Sequence, residues 1–110
     1  MSDTKTALYE MVRDTAEEIT NGFEGELNDD GDPQNAYDYI SEAMDITYHV
    51  GSDGNFKGGE FAVSIGGPNI YVNVTGNYVV GYWGSDKCEW SFDDSPGLYD
   101  AMEEFYEMTR

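Results

Sequence analysis

Acidic side chains recur at helical spacing in three segments of the sequence, and these residues are the strongest candidates for a binding function. Residues three and four positions apart lie on one face of a helix, about 5–6 Å from each other. Each set therefore predicts an acidic stripe along a helix. The three stripes consist of Glu10, Asp14 and Glu17 or Glu18; of Asp38, Glu42 and Asp45; and of Asp100, Glu103 or Glu104, and Glu107.

The stripes lack the opposite charges that usually accompany acids on a solvated helix. Like charges at this spacing destabilise a helix by roughly 0.2–0.5 kcal/mol per pair, and few Lys or Arg lie beside them. We therefore interpret the stripes as a surface that attracts a basic partner. Generic acidity of a soluble protein and adaptation to a salt-rich cell are the alternative interpretations.

The segment from Glu26 to Asp32 is similar to the first half of a calcium-binding loop. If Glu26 takes position 1, Asn28 and Asp30 take ligand positions 3 and 5, and a glycine falls at position 6. Position 12 requires a bidentate glutamate but is Tyr37. We interpret the segment as an acidic loop that leads into a helix cap, and we predict no metal site and no cofactor. A small calcium-binding protein or enzyme that uses this loop is a lower-ranked hypothesis.

Motifs for catalysis are missing from the sequence. His49 is the only histidine and Cys88 the only cysteine, and neither lies in a nucleophile motif or at zinc-ligand spacing. Carboxylates occur side by side at 29–30 and 93–94, but neighbours in sequence do not face each other, so they form no acid–base dyad. We predict no catalytic residues and a protein that is not an enzyme.

The net charge narrows the class of partner. The 110 residues contain 23 Asp and Glu against 5 Lys and Arg, which gives a formal charge of −18 and a pI near 4.1. Nucleic acids and anionic membranes attract cationic side chains, so we predict that the protein binds neither directly. Duplex DNA carries one charge per ~1.7 Å of axis, so 18 charges match about 30 Å of duplex, close to the roughly 30–35 Å diameter of a domain of this length.

Three features of the sequence predict a cytoplasmic protein. No apolar run approaches the length of about 18 residues that a membrane-spanning helix needs. The N-terminal residues have neither the basic start nor the apolar stretch of a signal peptide. A single cysteine provides no disulfide framework, which suits a reducing compartment.

Hydrophobic periodicity predicts one domain over residues 1–110, of the α+β class. Two N-terminal helices are expected, one from near Ser2 or Thr4 to Asn21–Gly22 and one opened by Asp32–Pro33. A C-terminal helix is expected from Ser95–Pro96 to near Arg110. In the segment between them, apolar and polar residues alternate with a period of two and short turns separate the runs. This pattern indicates an antiparallel meander of four to five strands. The predicted order is ααβββββα, with the helices on one face of the sheet.

The same periodicity predicts which side chains form the core. The inner faces of the helices are expected at Leu8, Met11, Val12, Ala16 and Ile19; at Ala36, Ile40, Ala43 and Met44; and at Leu98, Ala101, Met102 and Phe105. The alternating sets of the strands are Ile46–Tyr48–Val50, Phe61–Val63–Ile65, Ile70–Val72–Val74, Tyr78–Val80–Tyr82 and Cys88–Trp90–Phe92. Because helices cover one sheet face only, some aromatic rings are candidates for an exposed interaction surface. Tyr71, Trp83 and Trp90 are open to either role, core or interface.

Two short glycine- and aromatic-rich motifs carry a resemblance. The first runs from Gly66 to Asn73 (GGPNIYVN) and the second from Gly81 to Gly84 (GYWG), and an acidic helix follows them. Over residues 61–110 the chain resembles small uncharacterised acidic proteins of phages and conjugative elements in Gram-positive bacteria. The resemblance implies a mobile-element setting in a bacterial host cell, where small acidic proteins inhibit restriction or CRISPR enzymes. It implies no catalytic residues.

The leading hypothesis from these observations is a non-enzymatic inhibitor that acts as an acidic DNA mimic. It would bind a basic nucleic-acid-binding protein such as a nuclease, a methyltransferase or a CRISPR effector. The residues expected to bind the partner are Glu10, Asp14, Glu17, Asp38, Glu42, Asp45, Asp100, Glu104 and Glu107. The alternative hypothesis is an accessory protein–protein interaction module that binds through an aromatic sheet face. A homodimer, which would extend the charged surface, is compatible with both.

Overall fold

The fold is an antiparallel sheet with helices packed on one of its faces. The structure, a computed structural model, describes residues 3–109, with side chains from residue 5 onward. In chain order the elements are α1 (Asp3–Thr20), α2 (Ala36–Ser41), β1 (Met44–Val50), β2 (Phe56–Ser64), β3 (Asn69–Asn73), β4 (Tyr78–Trp83), β5 (Asp86–Ser91) and α3 (Leu98–Met108). The strands pair in sequence order, each antiparallel to the next. The predicted α+β class and five-stranded meander are confirmed, while the helix limits proposed at Ser2 and Arg110 lie outside the described residues.

Helix α1 buries a stripe of apolar residues spaced by three and four positions. Leu8, Val12, Ala16 and Ile19 are all at most 1 % exposed. Met11, which was predicted to belong to this stripe, is 38 % exposed, so that prediction is wrong. The helix stops where the sequence indicates, because the next turn contains a glycine with a positive φ. Among the described residues, no helix combines the length and apolarity needed to cross a membrane.

Helix α2 is shorter than predicted and begins later. Its N-cap is Asn35, whose side chain accepts from the Asp38 N–H at 2.9 Å, while the Asp38 carboxylate accepts from the Asn35 N–H at 3.2 Å. This reciprocal capping box satisfies two amides of the first turn. Asp32–Pro33, which was predicted to open the helix, instead precedes it, with Pro33 in an isolated β-bridge to Leu27.

Helix α3 begins at Leu98, two residues after Pro96, the predicted first helical residue. Its first amides are capped from outside the helix, since the Asp94 carboxylate accepts from the N–H groups of Leu98 at 2.6 Å and Tyr99 at 3.0 Å. The predicted inner face is confirmed, because Leu98, Ala101 and Met102 are fully buried and Phe105 packs against the core.

The sheet register decides which side chains meet the helices. Ile70 pairs with Gly81 and Val72 with Val79, and these four residues lie on one face. A Cβ placed on Gly81 would come within 2.6 Å of Val12 Cγ2, so α1 lies directly on this face. Phe61 of β2 pairs with Val72 and therefore lies on the same face. Gly59, two residues earlier in β2, also lies on this face and is close to the Met102 side chain of α3. Both long helices therefore cover the same face of the sheet, as predicted.

Two of the alternating strand sets do not stay on one face. The register shifts twice in β1 and once near the end of β2, and a one-residue shift moves side chains to the opposite side. Tyr48 packs against Phe56 and Tyr106, but Ile46 and Val50 are exposed, as is Ile65 beyond β2. The predicted alternating sets Ile46–Tyr48–Val50 and Phe61–Val63–Ile65 are therefore only partly correct.

The sheet face away from the helices carries aromatic side chains. Tyr71 and Tyr82 meet edge to face with their ring centroids 6.3 Å apart, and Lys87 Nζ lies 5.8 Å from the Tyr82 ring centroid. Tyr82 is 40 % exposed. Trp83 lies on the other face, since it alternates with Tyr82, and it packs against the core. A surface that combines Tyr71 and Trp83 is therefore ruled out, because the two rings are on opposite sides of the sheet.

Candidate functional site

The acidic stripe of α1 points away from the sheet. Glu10, Asp14 and Glu17 are all exposed. At 3.6 residues per turn their mean direction lies about 170° around the helix from the buried stripe. Glu18, the alternative to Glu17 in this stripe, is half-buried instead. Burial raises the pKa of the Glu18 carboxyl, and the charge of Glu26 adds to this shift.

Arg13 lies within the α1 stripe and partly neutralises it. Its guanidinium contacts Asp14 Oδ1 at 3.1 Å. Hydrogen bonding to Asp14, together with the charges of Asp14, Glu17 and Glu10, raises the pKa of Arg13 above its usual value. The guanidinium carbon also lies 5.9 Å from the Tyr9 ring centroid. The interpretation of this stripe as lacking opposite charge therefore needs correction: one of its acids is paired.

The acidic stripe of α3 forms as predicted. Asp100, Glu103, Glu104 and Glu107 are exposed, and α3 contains no Lys or Arg. Their mean direction lies about 160° from the buried face of the helix. Tyr37 of α2 lies beside this stripe, because its phenol hydrogen-bonds to Glu104. That bond raises the pKa of Tyr37, and burial and the charges of Glu104 and Asp100 add to the shift.

The second predicted stripe does not exist on one helix. Asp38 belongs to α2 and is half-buried, and its Oδ2 accepts from the Asn35 N–H and, at 3.1 Å, from Asn28 Nδ2. Glu42 is exposed at the C-cap of α2. Asp45 lies in β1 with a φ of +50°. The prediction that Asp38, Glu42 and Asp45 share a helix face is wrong, because pairing with β2 draws residues from 44 onward into the sheet.

The acidic loop before α2 is organised by one asparagine. Asn28 Oδ1 accepts from the N–H groups of Asp30 and Asp32, both at 3.0 Å, and its amide nitrogen donates to Asp38. These bonds fold the loop onto α2, in agreement with the interpretation as a loop leading to a helix. Between residues 5 and 109 no group of three or more His, Cys, Asp or Glu side chains has a geometry that could hold a metal ion.

His49 and Cys88 have local roles. His49 Nδ1 lies 2.7 Å from Thr75 Oγ1, a contact between β1 and the β3–β4 turn. Cys88 is a half-buried free thiol whose pKa is raised by burial. A raised thiol pKa lowers the fraction of reactive thiolate at neutral pH.

The α1 and α3 stripes lie on the same side of the molecule. Both helices cover the same sheet face and both stripes point outward from it, so their charges add over one surface. The sequence has no Lys or Arg between Arg13 and Lys57, or between Lys87 and Arg110. Lys57 and Lys87 each lie within 4.0 Å of an acid near them in sequence.

The charge per unit length is lower than that of DNA. The described chain measures 45 × 38 × 23 Å, longer and flatter than the sphere assumed from chain length. A duplex 45 Å long carries about 26 charges at one per ~1.7 Å, so a net charge of −18 is about two thirds of that value. The expected match in charge per length is therefore only approximate.

A cleft at the C-terminal end of α1 was not anticipated from the sequence. Its volume is about 460 Å³, and it is lined by Glu17, Thr20, Asn21, Trp90, Ser91, Phe92 and Asp93. The Thr20 hydroxyl accepts from the Asp93 N–H at 3.0 Å, which ties the two walls together. These residues come from α1 and from the end of β5, some 70 positions apart in the sequence, so no local pattern could have linked them.

Comparison with protein-family models, with curated proteins and with solved structures finds no match for this chain.

Proposed function

We propose that the protein is a non-enzymatic inhibitor that acts as an acidic DNA mimic. Its target would be a basic nucleic-acid-binding protein, such as a restriction nuclease, a methyltransferase or a CRISPR effector, in the cytoplasm of a bacterium that hosts a mobile element. The observation that carries the proposal is the pair of acidic stripes on α1 and α3, which point to the same side of the molecule.

The physical basis of the proposal is attraction between opposite charges. A groove that binds DNA is lined by Lys and Arg and concentrates any anionic surface that fits it. Electrostatic steering of association depends on the summed field of the surface rather than on single charge pairs. The cost is local repulsion in α3, which has four acids and no base. A function that needs these acids explains why that cost is tolerated.

The acids proposed for binding differ in exposure and in the contacts that they already make. Glu10, Glu17, Glu42, Asp45 and the acids of α3 are exposed on the surface. Asp14 forms an ion pair with Arg13. The Asp38 carboxylate accepts hydrogen bonds from the N-cap residue of α2 and from Asn28 of the preceding loop. Reversing the charge of Asp38 would damage the fold, so it is a poor choice for testing the interface.

The experiment is a capture of partners from bacterial lysate with the tagged protein as bait. Glu10→Lys combined with Glu17→Lys serves as the matched bait, since both side chains are exposed and make no capping bond. We expect the wild type to retain a nuclease, methyltransferase or CRISPR effector that elutes as salt rises, and the variant to retain far less. A partner that stays bound in high salt, or that binds both baits equally, would contradict the proposal.

A second candidate function is an interaction module that uses the open sheet face. Its supporting observation is the cluster of the half-buried Tyr71 with the exposed Tyr82 and Lys87. Tyr is favoured at interfaces because its large ring has few torsions to order. This candidate predicts that Tyr82→Ala abolishes capture of a salt-resistant partner while Glu10→Lys with Glu17→Lys leaves it unchanged. The reverse pattern would reject it in favour of the acidic stripes.

A further inference from the structure

The cleft between the end of α1 and the end of β5 has an unusual combination of lining groups. Two carboxylates, Glu17 and Asp93, lie on opposite walls, and both residues are exposed to solvent. Thr20, Asn21 and Ser91 contribute hydroxyl and amide groups. Among the residues that the structure describes, no Lys, Arg or His lines the cleft. The charged side chains that line it are therefore both negative, and the hydroxyl and amide groups can donate or accept.

The backbone of α1 adds to this negative potential. The C-terminal end of a helix carries roughly half a negative charge from its aligned peptide dipoles, which favours cations nearby. Many helices place their own Lys or Arg there, but the last turn of α1 has no basic residue. The 18 residues of α1 thus end at the cleft without a cation of their own to offset the dipole.

An aromatic wall completes the cleft. Trp90 is half-buried, lines the cleft, and is held edge to face by Tyr9 at a centroid distance of 5.3 Å. Tryptophan is the side chain that interacts most strongly with an organic cation through its ring. The bond from the Asp93 N–H to Thr20 fixes the two walls relative to each other, so little ordering is needed when a ligand enters.

We propose that this cleft binds a guanidinium or ammonium group, supplied by an arginine or lysine side chain of the basic partner. The identity of that source rests on the proposed function, whereas the preference for an organic cation rests on the cleft alone. The cleft lies beside the α1 stripe, since Glu17 belongs to both. An inserted Arg would make it the anchor of an interface whose other charges act at longer range.

The cation preference is tested without any partner. N-acetyl-arginine amide is titrated into the ¹⁵N-labelled protein while the indole signals of the two tryptophans are followed by NMR. N-acetyl-citrulline amide, which has nearly the same shape but no charge, is the control ligand. We expect a saturable shift of Trp90 with a dissociation constant on the order of 10 mM, as suits one ring contact and two exposed ion pairs.

Trp83 provides an internal reference in the same titration. Trp83 lies near the other end of β4. Trp90 pairs with Val79 of β4, and Val79 is four residues from Trp83, which is about 13 Å along the strand. The Trp83 signal should move little. Shifts of equal size with the citrulline compound, or no saturation of the Trp90 signal, would overturn the proposal.

A pair of variants tests whether the carboxylates of the cleft, rather than the total charge, bind the cation. Glu17→Gln with Asp93→Asn removes the two carboxylates of the cleft, while Asp29→Asn with Asp30→Asn makes the same change of net charge in an exposed loop outside the cleft and both stripes. The cleft variant should bind N-acetyl-arginine amide about five- to tenfold more weakly, because each exposed pair contributes a few-fold. The control should change by less than twofold. Equal weakening in both would show that the total charge, not the cleft, attracts the ligand.

The same two variants separate failure of this inference from failure of the proposed function. If the titration saturates but no salt-sensitive partner is captured from lysate, the cation site stands and the DNA-mimic proposal falls. If a partner is captured equally by both variants, the arginine or lysine of the partner does not occupy the cleft, and that part of the inference is overturned. Stronger loss of capture in the cleft variant than in the control supports both.

Discussion

Replacing Glu103 by lysine should stabilise the protein even though it removes an acid from the proposed binding surface. Glu103 is exposed on α3, three residues after Asp100 and four residues before Glu107. Both spacings bring side chains together on a helix, so the wild-type residue takes part in two repulsive pairs. A lysine at this position converts both pairs to attractive ones.

The expected gain follows from these two pairs. Each like-charge pair costs roughly 0.2–0.5 kcal/mol and each opposite pair contributes a similar amount, so two converted pairs give about 1 kcal/mol after allowance for screening at an exposed site. For a domain of this length such a gain raises the melting temperature by about 4 °C. Thermal unfolding followed by circular dichroism measures it directly.

Salt and a control variant make the result interpretable. In about 1 M salt the Debye length falls to ~3 Å, so most of the gain should disappear. Glu24→Lys changes the net charge equally in an exposed loop and should give a much smaller gain. Repulsion among the α3 acids would be refuted if Glu103→Lys does not raise the melting temperature at low salt, if the gain survives high salt, or if the Glu24 variant gains as much.

Three other perturbations have defined outcomes. Asp94→Ala removes the cap of α3 and should lower the free energy of unfolding in urea by about 1–2 kcal/mol, whereas Asp94→Asn should retain most of it; equal losses would refute the capping role. Gly81→Ala places a Cβ 2.6 Å from Val12 Cγ2 and should cost about 1–3 kcal/mol, a loss that Val12→Ala should partly reverse. The raised pKa of Glu18 means that the folded state binds its proton more tightly than the unfolded state. Stability should therefore rise as pH falls from neutral towards the ordinary glutamate pKa of 4.5, and Glu18→Gln should reduce that rise, while an unchanged pH profile would contradict the assignment.

The parts of the fold that local physics determines were predicted correctly. The buried stripe of α1, the buried strand residues Ile70 and Val72, and the inner face of α3 each depend on a period that only one kind of element satisfies. The glycine signal after α1 also identified its end. In these segments local preference and tertiary packing agree, which is why the sequence alone is sufficient.

The errors arose where tertiary contacts override a good local signal. Asp38, Glu42 and Asp45 have helical spacing, but β1 begins at Met44 because pairing with β2 extends that far. Register shifts moved Ile46 to the surface, and no sequence signal gives their positions. The acids on α1 and α3 could be predicted from their spacing. The ion pair between Arg13 and Asp14 could not, because residues next to each other in sequence do not face each other on a helix.

The cleft beside α1 illustrates the limit of sequence reasoning about sites. Glu17 was identified as part of a stripe, but its proximity to Trp90 and Asp93 depends on how α1 crosses the edge of the sheet. A pattern confined to one element predicts a charged face. It does not predict the partner element that turns part of that face into a cavity.

In the proposed function, the acidic surface takes the place of DNA on a basic partner. The most direct measurement is the binding of labelled duplex DNA to the captured partner as the protein is added, at low and at high salt. We expect the wild type to displace the duplex at low salt and less at high salt, and the folded Glu10→Lys, Glu17→Lys variant to leave it bound. A partner that holds the duplex and the wild-type protein at the same time would contradict the account.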